Sequence, residues 1–114
     1  NLLIQVEYSD LRYNLGAKAL LLRTYYDTGE YEALHSLTES FRQYLQRNRM
    51  LSENRRSGYF NLFRLTRKLA QLKARKAYLP HGKYQKELHR LTREINATTE
   101  IFNRSWLEEK LLEG

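Results

Sequence analysis

The sequence predicts an all-α fold, and three observations predict it. Leucine occurs 21 times in 114 residues while valine and isoleucine together occur 4 times, too few β-branched side chains to furnish a sheet. Apolar positions recur at intervals of three and four along most of the chain, and the periodic runs are separated by short breaks at Thr28-Gly29, residues 48–51 and residues 78–82. The single proline, Pro80, falls in the last of these breaks, where its missing amide does no harm to a helix. The expected architecture is one domain of four to five helices, stacked as antiparallel hairpins over residues 10–114, with residues 1–9 as a linker or the tail of a preceding helix.

The first helix is expected over residues 10–27, because Leu11, Leu15, Ala19, Leu22 and Tyr26 share one face and Ser9 or Asp10 can cap its start. Gly29 then favours the left-handed conformation that ends helices. A second stripe of Tyr31, Leu34, Leu37, Phe41 and Tyr44 marks a helix over residues 30–47, joined to the first by so short a connection that the two must pair antiparallel. Ser52 and Glu53 open a third helix over residues 52–76. Its apolar residues Tyr59, Phe60, Leu62, Phe63, Leu65, Leu69, Ala70 and Leu72 cover two sides, the pattern of a helix held between neighbours. Tyr84, Leu88, Leu91 and Ile95 give a fourth helix over residues 83–97. After a cap or kink at Thr98 and Thr99, a last helix over residues 99–112 carries Ile101, Phe102, Trp106, Leu107, Leu111 and Leu112, with Phe102 and Trp106 expected to enter the core as an i, i+4 pair.

Composition removes several chemistries. With no cysteine, the chain has no disulfide, thiolate zinc site or cysteine nucleophile. His35, His81 and His89 are scattered and form no HExxH pattern, and the five glycines form neither a GxGxxG run nor a phosphate loop. No GxSxG elbow is present either. No enzymatic activity, metal or cofactor is expected. No stretch approaches the roughly 20 apolar residues that cross a bilayer, and residues 1–8 lack the build of a signal peptide, so a cytoplasmic protein without membrane partners is expected. The missing initiator Met suggests a fragment of a longer protein, with Leu2, Leu3, Ile4 and Val6 as a sticky apolar edge. The triplets Asn96-Ala97-Thr98 and Asn103-Arg104-Ser105 lie in helical pattern and are read as chance occurrences.

Charge is unevenly spread. Lys and Arg number 20 against 13 Asp and Glu, a net charge of +7, and 11 of the basic residues fall between positions 42 and 76 against Glu53 alone. Such a segment either solvates helix faces or attracts acidic protein surfaces or polyanions. Arg55, Arg56, Arg64, Arg67 and Lys68 are its candidate binding residues. Arg56, Arg64 and Lys68, at intervals of eight and four, can share one narrow stripe, whereas Arg67 lies about 100° away from Lys68. Tyr59 and Phe60 are placed where bases could stack, which makes nucleic acid the alternative ligand.

The run Leu20-Leu21-Leu22-Arg23-Thr24-Tyr25-Tyr26-Asp27-Thr28-Gly29-Glu30-Tyr31-Glu32-Ala33-Leu34 resembles the centre of a tetratricopeptide repeat (TPR). An aromatic at the end of the first helix, a glycine in the turn, an aromatic opening the second helix and a following small residue are matched by Tyr25, Gly29, Tyr31 and Ala33. Ala33 stands one position early, with Leu34 in the family's alanine place, and Phe41 replaces a residue that is often small. The likeness spans residues 15–47 and is similar to what the C-terminal part of a bacterial TPR-like protein would show, its Trp-bearing last helix serving as a cap. It implies a non-catalytic protein-interaction scaffold whose partners are another protein or neighbouring repeats of the same chain. The concave surface of such a hairpin would carry Arg12, Arg23 and Tyr26. The family's carboxylate clamp is not matched, since the corresponding helix offers Gly16, Ala19, Leu20 and Arg23.

Overall fold

The computed structural model describes residues 1–114 as five helices and no strand: α1 (Leu2–Thr28), α2 (Tyr31–Arg47), α3 (Glu53–Ala74), α4 (His81–Ala97) and α5 (Arg104–Glu113). Helix α1 starts eight residues earlier than its periodicity predicts. The Asn1 side chain accepts a hydrogen bond of 2.9 Å from the Ile4 amide and caps the helix there, so residues 2–9 are its first turns. Ile4 and Tyr8 continue the spacing of Leu11 and Leu15, but Leu2, Leu3, Ile4 and Val6 remain exposed and Tyr8 is only half-buried, so few contacts hold these turns to the bundle. At the other end Gly29 adopts φ 74° and ψ 18°, and the Glu30 amide donates to the Tyr25 carbonyl at 2.8 Å, closing α1 as a left-handed cap.

The Ser52 hydroxyl caps α3 by accepting from the Arg55 amide at 3.3 Å. Two arginines seal the ends of the shorter helices. The Arg56 guanidinium donates to the carbonyls of Leu45 and, at 2.8 Å, Asn48 at the end of α2. Arg104 does the same at the end of α4, donating to Ile95 at 3.2 Å, to Thr98 and to Thr99. In each case a cation meets the negative pole of a helix and donates to carbonyls at and just beyond its last turn.

Helix α5 begins at Arg104 and not near residue 99, because the connection before it is bound to α3. The Phe102 amide donates to the Gly58 carbonyl at 3.0 Å, and Asn61 Nδ2 donates to the Glu100 carbonyl at 2.9 Å. A Cβ on Gly58 would stand 3.4 Å from the Phe102 nitrogen, so the segment lies in van der Waals contact with α3 there. Phe102 therefore lies outside α5 and stacks on Tyr59 with ring centroids 4.3 Å apart, and only Trp106 of the expected pair enters the core.

Helix α3 touches all four others, as its two-sided apolar pattern requires. Leu62, Leu65, Thr66, Leu69 and Ala70 along it are fully buried. Leu15 and Leu22 of α1, Leu34 and Phe41 of α2, Ile95 of α4 and Leu107 of α5 complete the core. Burying a leucine or phenylalanine contributes about 1.5–3 kcal/mol each, and this core is what fixes the helices to one another. The molecule is elongated, 57 × 27 × 21 Å.

Candidate protein-interaction groove

On α2, Thr38, Glu39 and Arg42 lie within one turn. On α3, Phe60, Arg64, Arg67, Lys68 and Gln71 follow at helical spacing, and the two rows face each other across a groove of about 300 Å³. Phe41 and Phe63 form its floor, stacked face to face with centroids 3.7 Å apart and planes 6° apart. Phe60 stands on its rim, 40% exposed. Both floor rings are almost fully buried, so the aromatic surface the groove offers is Phe60, between rims that carry four cations.

Only two carboxylates oppose them. Arg67 Nη1 donates to Glu39 Oε1 at 2.6 Å across the groove. Arg64 and Lys68 turn toward α4 and share Glu94, at 2.6 Å and 3.0 Å. Hydrogen bonds from Arg67 hold the Glu39 carboxyl below its ordinary pKa, and those from Arg64 and Lys68 do the same for Glu94. His35, one turn before Glu39, has its pKa lowered by burial and then by the nearby Arg67 charge, so it stays neutral at physiological pH. Arg42 makes no ion pair. The groove keeps a positive excess.

Of the predicted polyanion-binding residues, the structure brings Arg64, Arg67 and Lys68 to this groove. Arg67 and Lys68 both line it although they are adjacent in sequence, because one leans to α2 and the other to α4; the cationic face is wider than a single stripe. Arg56 is committed to the α2 terminus. Arg55 lies beside a separate cleft with Asn54, Gly58, Tyr59 and Phe102. The phenylalanine floor and the two acidic partners went unassigned in the sequence, although Thr38, Phe41 and Arg42 at i, i+3 and i+4 opposite Phe60, Phe63, Arg64 and Arg67 carry the signal.

The surface inferred from the TPR resemblance is not brought together. Arg12 is exposed, its guanidinium 6.0 Å from the Tyr8 ring. Arg23 lies 5.6 Å from the Trp106 ring, and Tyr26 is only 4% exposed beneath it. Helix α5 occupies the face of α1 that carries these two residues, so Tyr26 belongs to the core.

No group of three or more His, Asp or Glu side chains is placed to hold a metal ion, and no helix is long and apolar enough to cross a membrane. The chain matches no family model, no curated protein and no solved structure.

Proposed function

We propose that this chain is a non-catalytic, TPR-like interaction scaffold of a larger protein, and that its α2–α3 groove receives an acidic segment of a protein partner. The observation that carries this reading is the juxtaposition of the Phe41–Phe63 floor with Arg42, Arg64, Arg67 and Lys68 on the rims. A leucine or phenylalanine of the partner packs on Phe60 above the floor, and carboxylates beside it meet the cations. The existing ion pairs at Glu39 and Glu94 are partly exposed, and exchanging such links for a partner's carboxylates costs little. The left-handed Gly29 between Tyr25 and Tyr31 supports the TPR-like part of the reading.

Nucleic acid is the second reading, favoured by the exposed Phe60 beside Arg64. A competition measurement separates the two. A labelled peptide of glutamates around a central Leu-Phe pair is titrated with the chain, and then displaced with oligothymidylate of equal charge. Retention of the peptide as salt is raised, and its loss on Phe60→Ala with Arg67→Gln, support the scaffold. Displacement by the oligonucleotide, with affinity collapsing steeply as salt rises, supports the second reading.

A further inference from the structure

Helix α1 is apolar on two opposite sides. Leu11, Leu15, Ala19, Leu22 and Tyr26 face the bundle and are buried. Leu3, Val6, Asp10, Tyr13, Ala17, Leu20 and Thr24 follow at alternating intervals of three and four, and all are exposed, Leu3 by 67%, Tyr13 by 77% and Leu20 by 60%. At about 100° per residue the two stripes lie on opposite sides of the helix axis. The outward one has the a/d spacing of a helix that packs along its length against another helix.

We propose that a second copy of this chain covers this stripe, with the two α1 helices antiparallel about a two-fold axis near Leu11 and Arg12. In that register Leu3 meets Leu20 of the second copy, Val6 meets Ala17, and Asp10 meets Tyr13, each pair occurring twice as an isologous interface demands. The Tyr13 hydroxyl donates to the Asp10 carboxylate, which satisfies the one charged group in the seam. Sliding one copy by a heptad sets Asp10 against Val6 or Leu20, and parallel pairing sets Asp10 against Asp10; either arrangement leaves the carboxylate unpaired or repelled. A single polar position thereby selects register and direction. Beside the seam, Glu7 falls near Asn14 and Ser9 near Gly16, so no like charges meet and the small residues allow close approach.

The absence of native cysteine makes the geometry directly readable. Val6→Cys and Ala17→Cys chains are mixed and oxidised gently. The antiparallel register forms a mixed disulfide between them, while neither variant cross-links with itself, because like positions are offset by eleven residues, about 16 Å. Leu20→Glu weakens dimerisation at least tenfold in sedimentation equilibrium and leaves the circular dichroism of the helices unchanged. A wild-type chain that stays monomeric from micromolar to millimolar concentration overturns the proposal. So does self-cross-linking of Val6→Cys, or an association that Leu20→Glu leaves intact.

Discussion

Trp106 stands edge-on to Tyr26, their ring centroids 5.6 Å apart and their planes at 81°. Through this contact the last helix is fastened to the end of the first. Lys73 lies 5.5 Å over the Tyr26 ring and Arg23 5.6 Å from the Trp106 ring, and Lys110 pairs with Asp27 at 3.2 Å. Edge-to-face rings of this kind contribute about 0.5–1.5 kcal/mol beyond their burial.

Trp106→Ala is therefore expected to lower stability by about 3 kcal/mol, the range for emptying a buried tryptophan site. Phe102→Ala, which removes a half-exposed ring stacked on Tyr59, costs about 1 kcal/mol. Urea denaturation of the two variants checks the order of these effects.

Gly29 has φ 74° and open space where a Cβ would stand, so its substitution meets strain without a clash. Gly29→Ala is expected to cost about 1 kcal/mol, Gly29→Val more, and Gly29→Asn less, because asparagine enters the left-handed region more readily. Thermal melts that rank the three variants otherwise contradict the turn's role.

Arg55 and Arg56 are neighbours with different duties. Arg55→Gln changes an exposed side chain and is expected to leave stability within about 0.5 kcal/mol. Arg56→Gln removes charge-assisted hydrogen bonds to two carbonyls at the end of α2 and costs about 1.5 kcal/mol or more. Chemical denaturation distinguishes a solvating cation from a structural one.

Glu94 is held below its ordinary pKa by Arg64 and Lys68. A carboxylate depressed in the folded state supplies its stability fully above the unfolded value of about 4.3 and loses it as pH falls through the lower folded value. Glu94→Gln is accordingly expected to be less stable than wild type at neutral pH by about 0.5 kcal/mol, a small figure because the pair is partly exposed. The difference closes in acid, where wild-type Glu94 is itself protonated. Denaturation at neutral and strongly acidic pH measures both.

The five helices were legible from leucine spacing and from Gly29, Ser52 and Pro80, whose conformational preferences act locally. The start of α1 was not: Ile4 and Tyr8 continue the spacing of Leu11 and Leu15, but Ser9 and Asp10 offer a cap of their own and the turns before them stay largely exposed. Nor was the docking of residues 100–102 on α3, which is made by hydrogen bonds from the Phe102 amide to Gly58 and from Asn61 to Glu100, partners far apart in sequence. The sequence also marked Arg64, Arg67 and Lys68 as a basic group. It did not show that Glu39 and Glu94 divide them between two neighbouring helices, since those pairings span 26 to 30 residues and arise only when α3 is in place.

The groove itself is tested most directly by following the backbone amide resonances while the Leu-Phe glutamate peptide is added. Saturable shifts are expected at Thr38, Glu39, Arg42, Phe60, Arg64, Arg67 and Lys68, abolished in the Phe60→Ala, Arg67→Gln double variant, whose remaining spectrum is unchanged. Shifts confined to other surfaces, or spread evenly over every basic residue while the groove amides stay still, contradict the groove's role.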